Sequence, residues 1–426
     1  MTSAGEAGPR GFLAPYAEIF AIPRAWQFSL AGIIGRLPMA MYGLGTVLLI
    51  SAGTGRYGLA GSVAAAGSLG GAVCGPRLSR LTDRLGQHRV LVPVCMIFAV
   101  SVAGLVASVE LRAPDWTLFV TGIAGGGAMP QLGPMARARW SVLLAGSPRL
   151  HAAFSVESVA DELCFVVGPA AVTVLATQVH PAAGVIVAAV SCLAGSLWFA
   201  SQRATEPPVH ARGNRRKNQN QAQEERTGVS FAPHAPHLAA PALIVLVPAF
   251  LCVGAMFVSI DLSTVAFAAR AGHKPLAGLV LGTYALGSGT GGLWYGARTW
   301  GAPAWKRLAV TLTMTVTGVC TFWAMPNLAV LAIVIFFCGM TIAPTLIAGF
   351  SLLESQALPG RTTEAMTWLS TAISVGVAIG ATAAGFILDA FGPRWGYAFA
   401  AASGSLAVLI YLSGLSRAKP RTRRPG

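Results

Sequence analysis

The feature that most constrains this fold is the length of the stretches that contain no Asp, Glu, Lys or Arg. One such stretch runs from Leu163 to Gln202 and another from Leu308 to Leu353. Each is too long for a single membrane-spanning helix, which needs about 20 predominantly apolar residues. His180-Pro181 interrupts the first stretch and Pro326-Asn327 the second. Each stretch therefore predicts two helices joined by a tight turn.

The other apolar stretches, divided in the same way, bring the prediction to twelve spans. They lie near residues 25–51, 58–76, 90–111, 115–136, 154–179, 182–202, 242–268, 275–297, 308–325, 328–353, 366–388 and 394–415. We therefore expect an all-α membrane protein with twelve transmembrane helices. Residues 1–24 form an N-terminal cytoplasmic segment, 25–202 and 242–416 two six-helix bundles, 203–241 a cytoplasmic linker and 417–426 a basic cytoplasmic tail.

The charge distribution supports a membrane protein and predicts its orientation. Only 11% of the residues are charged, against about 25% in soluble domains. The net charge is +15, but the bases lie between apolar runs and form no water-facing patch for nucleic acid. If the protein lies in the cell membrane with both termini on the cytoplasmic side, most Lys and Arg residues of the loops and tails are cytoplasmic, as the positive-inside rule requires. This set includes Arg137, Arg139 and Arg307, and the opposite loops hold only Arg56, Arg112, Arg270, Lys274 and Arg394.

The sequence offers no pattern for an enzyme, a metal or a cofactor. The seven cysteines lie in apolar stretches without a C-x-x-C pair, and the seven histidines lie in polar or connecting segments. We interpret the cysteines as small buried hydrophobic residues. Phosphate-binding loops and Ser/His/Asp arrangements are also lacking. We expect neither catalysis nor ATP as an energy source.

A pattern of glycine and proline recurs in the two halves. Gly125 and Pro130 of span 4 coincide with Gly339 and Pro344 of span 10 when the sequence is shifted by 214 positions. A shift of 212 superimposes Arg149 on Arg361. The similar offsets favour an internal duplication, and repeated bundles around a midplane site are a recurrent transporter design.

A short motif follows span 2, reading Asp83-Arg84-Leu85-Gly86-Gln87-His88-Arg89. This D-R-x-G-x-x-R pattern resembles the signature of the major facilitator superfamily, which implies two pseudo-symmetric six-helix bundles. The resemblance also implies a cytoplasmic gate with Asp83 as the latch acid, Arg84 and Arg89 as basic partners and Gly86 in a tight turn. The chain has Ser79 where the family motif begins with glycine. The corresponding loop after span 8 contains no acid.

Gly168-Pro169 in span 5 is similar to the core of the superfamily's antiporter motif, G-x3-G-P-x2-G-G. Cys164 and Val172 stand where that motif has glycines. The resemblance favours antiport. Drug/proton antiporters of this superfamily usually carry an Arg in span 4 where this chain has Thr121. Our hypothesis is that Arg36 replaces it.

Ionisable residues inside spans are costly and are functional candidates by default. Asp161 and Glu162 lie about seven residues into span 5, and Arg36 lies near the middle of span 1. We expect Arg36 to pair with Asp161 or Glu162, and one of these acids to exchange protons, since two adjacent buried carboxylates cannot both ionise cheaply. Asp261 in span 7 is the candidate in the second half, with a position at the rim as the alternative. Glu157 is interpreted as an acid at the hydrated end of span 5.

These features together predict a secondary transporter that rocks spans 1–6 against spans 7–12. We expect efflux of a small, partly apolar molecule against protons, by a monomer whose other partner is the lipid bilayer. Tyr42, Gln131, Tyr284 and Trp294 are candidates for the substrate cavity. The alternatives are proton-coupled uptake of a nutrient and a non-transporting receptor or scaffold on the same fold.

Overall fold

The computed structural model describes residues 14–209, 241–273, 276–357 and 361–415. The described part of the chain forms sixteen α-helices and two 3₁₀ turns, Arg203–Thr205 and Phe322–Ala324, and contains no β-strand. Most of the predicted linker and all of the predicted basic tail lie outside the described residues.

The first half contains nine helices. They are α1 (Ala14–Phe20), α2 (Ala25–Arg36), α3 (Pro38–Thr54), α4 (Tyr57–Leu85), α5 (Gln87–Glu110), α6 (Asp115–Gly127), α7 (Leu132–Leu143), α8 (Leu150–Gln178) and α9 (Ala183–Ser201). The second half contains seven helices. They are α10 (Pro241–Arg270), α11 (Leu276–Gly296), α12 (Ala304–Thr321), α13 (Leu328–Gly339), α14 (Ile342–Gln356), α15 (Thr362–Phe391) and α16 (Pro393–Ser413).

The helices match the twelve predicted spans. Nine spans are single helices, whereas α2 with α3, α6 with α7 and α13 with α14 form the other three. Ten of these units within the described residues are long and apolar enough to cross a membrane. The other two are α11, which is rich in glycine, and the pair α6–α7, which is interrupted at residues 128–131.

The repeated glycine and proline pattern coincides with breaks in two equivalent spans. In span 4, α6 ends at Gly127 and α7 begins at Leu132, just after Pro130. In span 10, α13 ends at Gly339 and α14 begins at Ile342, with Pro344 in its first turn. Proline lacks a backbone N–H and is tolerated only in the first turn of a helix without disruption. The pattern therefore allows a new helix to begin within each span.

The two halves meet mainly through α4 with α15 and α8 with α11. We call the end of the bundle where α9 finishes and α10 begins the linker end. Close contacts between the halves lie there: the Ser79 and Thr367 hydroxyls are 2.7 Å apart, and Ser155 Oγ donates to the Gly292 carbonyl over 2.5 Å.

The halves separate toward the opposite end. Gly292 of α11 faces Ser155 and Val159 of α8. Gly278 and Gly282 lie on α11 closer to the opposite end, and no atom of another helix lies within 4 Å of where their Cβ atoms would stand. The close contacts between α8 and α11 are therefore found toward the linker end, and we call the space between the halves beyond these contacts the gap.

Three bases that were predicted to lie in cytoplasmic loops are buried side chains of helices. Their assignment to loops was therefore wrong. Arg137, Arg139 and Arg307 are buried. The predicted span 4 ended at residue 136, but α7 continues to Leu143 and carries the first two into the protein. Arg139 donates to the carbonyls of Phe199 and Gln202 at the end of α9, both over 3.0 Å. It satisfies carbonyls that a helix end leaves without partners.

Candidate functional site

A group of buried charges joins three helices of the first half. Arg36 is the last residue of α2, immediately before the break at Leu37. Its Nη1 donates to Asp161 Oδ1 over 2.9 Å and to the Glu157 carbonyl over 3.3 Å. Its Nη2 donates to Glu157 Oε2. Arg36 and Glu157 are buried, and both acids belong to α8.

The remaining oxygens of these two acids also have donors. Arg137 Nη2 donates to Asp161 Oδ2 over 2.7 Å, and Trp140 Nε1 donates to Glu157 Oε1 over 2.9 Å. We call Arg36, Arg137, Glu157 and Asp161 the ion network. Its two positive and two negative charges balance. Burying charges is tolerable when they are paired and hydrogen-bonded in this way.

The local sequence makes room for this network. Glu157 and Asp161 are four residues apart, which places them on one face of α8. A Cβ at Gly133 of α7 would stand 3.3 Å from Arg137 Nη1 and 3.6 Å from Asp161 Oδ1. Glycine at this position lets the helix approach the guanidinium groups closely.

Of the two partners predicted for Arg36, Asp161 and Glu162, Asp161 forms the ion pair. The placement of Glu157 at a hydrated end was wrong, because its side chain is fully buried and bound by Arg36, Trp140 and Ser29. Sequence reasoning also missed Arg137. The shared face of Glu157 and Asp161 was the available signal that both acids needed basic partners.

Glu162 follows Asp161 but belongs to a different group of side chains. Its carboxylate interacts electrostatically with Asp261 of α10 and approaches the hydroxyl of Ser288 of α11. Tyr284 of α11 interacts electrostatically with both acids. We call Glu162, Asp261, Tyr284 and Ser288 the cavity cluster. It joins the two halves across the gap.

The acids of the cavity cluster lack ion-pair partners among the described residues. In the described part of the chain, no basic side chain lies within 4 Å of the Glu162 or Asp261 carboxylate. Asp261 is exposed although it lies well inside a long apolar helix. It interacts electrostatically with Glu162 of the opposite half. The Tyr284 hydroxyl is buried without a hydrogen-bond partner among the described residues, and the buried Ser288 hydroxyl lies beside the Glu162 carboxylate.

The other three residues predicted to line the cavity are not members of the cavity cluster. Tyr42 is buried within the first half, where its hydroxyl donates to the Gly122 carbonyl over 3.2 Å. Gln131 is half-buried at the break between α6 and α7, and its Nε2 donates to the Met129 carbonyl over 3.3 Å. Trp294 is 41% exposed near the linker end, with Arg298 over its ring at 4.4 Å. Of the four candidates, Tyr284 is the one beside the intramembrane acids.

Asp83 contacts the second half at the linker end. Its carboxylate accepts hydrogen bonds from the backbone N–H groups of Thr363, over 3.3 Å, and Glu364, over 2.9 Å, in the first turn of α15. An acid is favourable there because the N-terminus of a helix carries partial positive charge. Arg89 is exposed and forms no ion pair among the described residues. The hydrogen-bond partners of Asp83 are thus backbone groups rather than the arginines of its own motif.

Two further residues of the predicted motifs shape the backbone. Gly86 has φ 97° and alone separates α4 from α5, a conformation that glycine adopts readily. A Cβ at Gly168 would stand 2.8 Å from the Ala40 Cβ of α3. Pro169 follows within α8, which continues to Gln178. Gly168 therefore permits close packing of α3 and α8.

Other contacts also hold the halves together at the linker end. Tyr16 of α1 donates to the Leu293 carbonyl over 2.5 Å. His151 of α8 lies 3.1 Å from Arg307 of α12. The guanidinium carbon of Arg137 lies 4.1 Å from the ring centroid of Phe350 in α14. The ion network therefore contacts the second half directly.

The profile of the Major Facilitator Superfamily matches residues 28–305 and 270–426. The chain belongs to this superfamily. It is therefore a multi-pass membrane transporter and not an enzyme, and the predicted major facilitator fold is confirmed. A comparison with curated protein sequences finds no match.

Solved major facilitator structures share this fold at low sequence identity. The human organic anion transporter MFSD10 (TETRAN) is 18% identical, with a TM-score of 0.65 over 91% of this chain and 98% of that one. A bacterial homologue of the iron transporter ferroportin, in an outward-facing state, is 13% identical, with a TM-score of 0.67 over 93% and 100%. E. coli FucP in the outward conformation is 16% identical, with a TM-score of 0.66 over 95% and 99%.

Proposed function

We propose that this member of the major facilitator superfamily exports a small, partly apolar molecule in exchange for protons. Its termini would lie in the cytoplasm, and its two halves would rock about the central gap. The observation that carries the proposal is the position of Glu162. This carboxylate lies inside a span, faces the gap and has no ion-pair partner among the described residues.

Glu162 suits proton exchange better than its neighbour Asp161. Both oxygens of Asp161 accept hydrogen bonds from guanidinium groups, so protonating Asp161 would disrupt two ion pairs. The groups around Glu162 are Asp161, Asp261, Tyr284 and Ser288. With acids nearby and no bound base, Glu162 can gain or lose a proton without breaking an ion pair. Asp161 and Arg36 then hold α8 in position for that exchange.

The closed linker end supports alternating access. Contacts of Asp83, Ser79 and Tyr16 with the second half would have to break for that end to open. If the linker end is cytoplasmic, the structure is an outward-open state. The similar structures of FucP and the ferroportin homologue are themselves described as outward-facing.

Uptake by proton symport is the second candidate, because similar structures include proton symporters of fucose and xylose. Both candidates need an exchangeable carboxylate in the gap. They differ in the direction in which an inward proton gradient drives the substrate.

The proposal is tested in proteoliposomes that contain a pH-sensitive dye. Substrates are first selected by thermal stabilisation of the purified protein, since a ligand stabilises the state that binds it. A substrate gradient should then drive proton flux, and Glu162→Gln should abolish it. Glu110→Gln is the matched control, because Glu110 is an exposed acid at the opposite end. Full flux in the Asp161→Asn, Glu162→Gln double variant would contradict the proposal, and opposite pH gradients separate export from uptake.

A further inference from the structure

The cavity cluster has the features of a ligand site as well as those of a proton site. Its two acids come from opposite halves, Glu162 from α8 and Asp261 from α10, and they are close enough to interact electrostatically. Their mutual repulsion is not offset by a basic side chain within 4 Å in the described ranges. A positive charge placed between them would remove this repulsion.

Two hydroxyl groups beside these acids provide an independent observation. Tyr284 is 7% exposed, and its hydroxyl has no hydrogen-bond partner among the described residues. Ser288 is fully buried. They are four residues apart and hence one turn apart on the same side of α11. Tyr284 interacts electrostatically with both acids, and Ser288 lies close to Glu162. Burying an unpaired hydroxyl costs free energy, which a ligand that supplies the missing partner recovers.

The ligand that fits this cluster carries a positive charge and N–H donors. A protonated amine has both, because its charge satisfies the carboxylates and its N–H groups donate to the hydroxyl oxygens. A divalent metal ion fits less well, since such ions take several oxygen or nitrogen ligands. The described residues contain no group of three or more His, Cys, Asp or Glu side chains that could hold one.

We propose that Glu162, Asp261, Tyr284 and Ser288 bind the protonated amine of the transported substrate. The inference rests on the proposed function and names its substrate class. A bound amine would contact both halves at once, which gives it the position needed to promote their closure. It would also compete with a proton for Glu162, so that substrate binding and proton release become coupled.

Four ligands with one adamantane cage test the proposal on the purified full chain in lipid nanodiscs. They are 1-adamantylamine, 1-adamantanol, 1-adamantanecarboxylate and the N,N,N-trimethyl derivative of the amine. Calorimetric titration should show the amine binding at least about tenfold more tightly than the alcohol or the carboxylate, a difference of ~1.4 kcal/mol. Glu162→Gln and Asp261→Asn should each weaken the amine by about tenfold, whereas Glu110→Gln should not.

The trimethyl derivative isolates the contribution of the hydroxyls, because it keeps the charge but has no N–H donor. It should bind more weakly than the amine to the unmodified protein, and Tyr284→Phe should reduce that difference. Tyr284→Phe removes a hydroxyl that has no partner, so it should preserve the fold. Equal binding of amine, alcohol and carboxylate would overturn the inference, as would undiminished amine binding by the Glu162→Gln, Asp261→Asn double variant.

The same experiment separates this inference from the proposed function. If the amine binds as expected but drives no proton flux in proteoliposomes, the site stands and proton coupling fails. If only neutral or anionic compounds drive flux that depends on Glu162, proton coupling stands and the amine site fails. Tight binding of Co²⁺ in place of the amine would overturn the choice of ligand class.

Discussion

Asp161 and Glu162 are neighbours in the sequence but belong to regions with opposite electrostatic character. Asp161 is part of the ion network, where each carboxylate oxygen accepts from a different guanidinium group. Glu162 is part of the cavity cluster, where the nearby charge is another acid. Successive residues of an α-helix point about 100° apart, because 3.6 residues complete one turn. This rotation alone turns one acid toward the interior of the first half and the other toward the gap.

One helix, α8, thus carries both a structural acid and an acid suited to transport. A charge-balanced, hydrogen-bonded network is strongly destabilised when one member is removed, because the remaining charges stay buried. A cluster with unpaired acids loses little folding free energy when one acid is neutralised. Substitutions in the ion network should therefore act first on stability, and those in the cavity cluster should act first on binding and coupling.

The largest effect is expected for Arg36→Met. The change leaves Glu157 and Asp161 with one guanidinium between them, and losing one partner of a buried pair costs about 3–5 kcal/mol. The free energy of unfolding, from denaturant titration in detergent micelles, should fall by this amount. Arg56→Met is the control, because Arg56 and Asp115 form an exposed pair at 2.8 Å that contributes at most about 1 kcal/mol. Equal effects of the two variants would contradict a structural role for the ion network.

Neutralising Asp161 and Glu162 separately should affect stability to different extents. Asp161→Asn should lower the free energy of unfolding by about 3 kcal/mol, because it weakens hydrogen bonds with two charged donors. Glu162→Gln should change it by less than about 1 kcal/mol, as expected for a side chain outside any ion pair. The same titration measures both. A larger loss for Glu162→Gln than for Asp161→Asn would reverse the assignment of the two acids.

The fold could be predicted from the sequence because the bilayer sets the length and polarity of each span. The charge-free stretches predicted twelve spans, and the pairing of Arg36 with either Asp161 or Glu162 followed from the cost of a buried charge. The part played by Arg137 could not be predicted, since it depends on α7 continuing beyond the break in span 4. The roles of Asp161 and Glu162 could not be separated either, because they depend on the rotation of α8 relative to its neighbours. The contact between Asp83 and Glu364 is purely tertiary, as 281 positions separate the two residues.

A substitution at Asp83 should favour opening of the linker end, and so alter access to Glu162 while leaving the ion pairs of Asp161 intact. Asp83→Asn removes the charge that accepts from the first turn of α15, which we expect to weaken closure of the linker end by about 1.5 kcal/mol. A change of this size alters the ratio of molecules with the linker end open to those with it closed by about tenfold. Spin labels at the exposed Ala145 and Ala302, in a chain whose native cysteines are replaced, should show a larger fraction of long distances.

The control for this measurement is Asp115→Asn, which removes an acid from an exposed pair at the opposite end. It should leave the distance distribution unchanged. If Asp83→Asn also leaves it unchanged, the contact with α15 does not hold the linker end closed. If instead it lowers the free energy of unfolding as much as Arg36→Met does, Asp83 is a structural residue and belongs with the ion network.

The smallest effect is expected for Tyr16→Phe. Tyr16 lies on α1 and donates to the Leu293 carbonyl in the second half, so its hydroxyl bridges the halves at the linker end. Removing one hydrogen bond of this kind costs about 1 kcal/mol, and the retained ring keeps the packing of α1. The same spin labels should therefore show a shift in the direction given by Asp83→Asn but smaller. Because both contacts cross the same interface, the Asp83→Asn, Tyr16→Phe double variant should shift the distance distribution more than either single substitution. If the double variant gives the same distribution as Asp83→Asn alone, α1 moves with the opening linker end and does not oppose the opening.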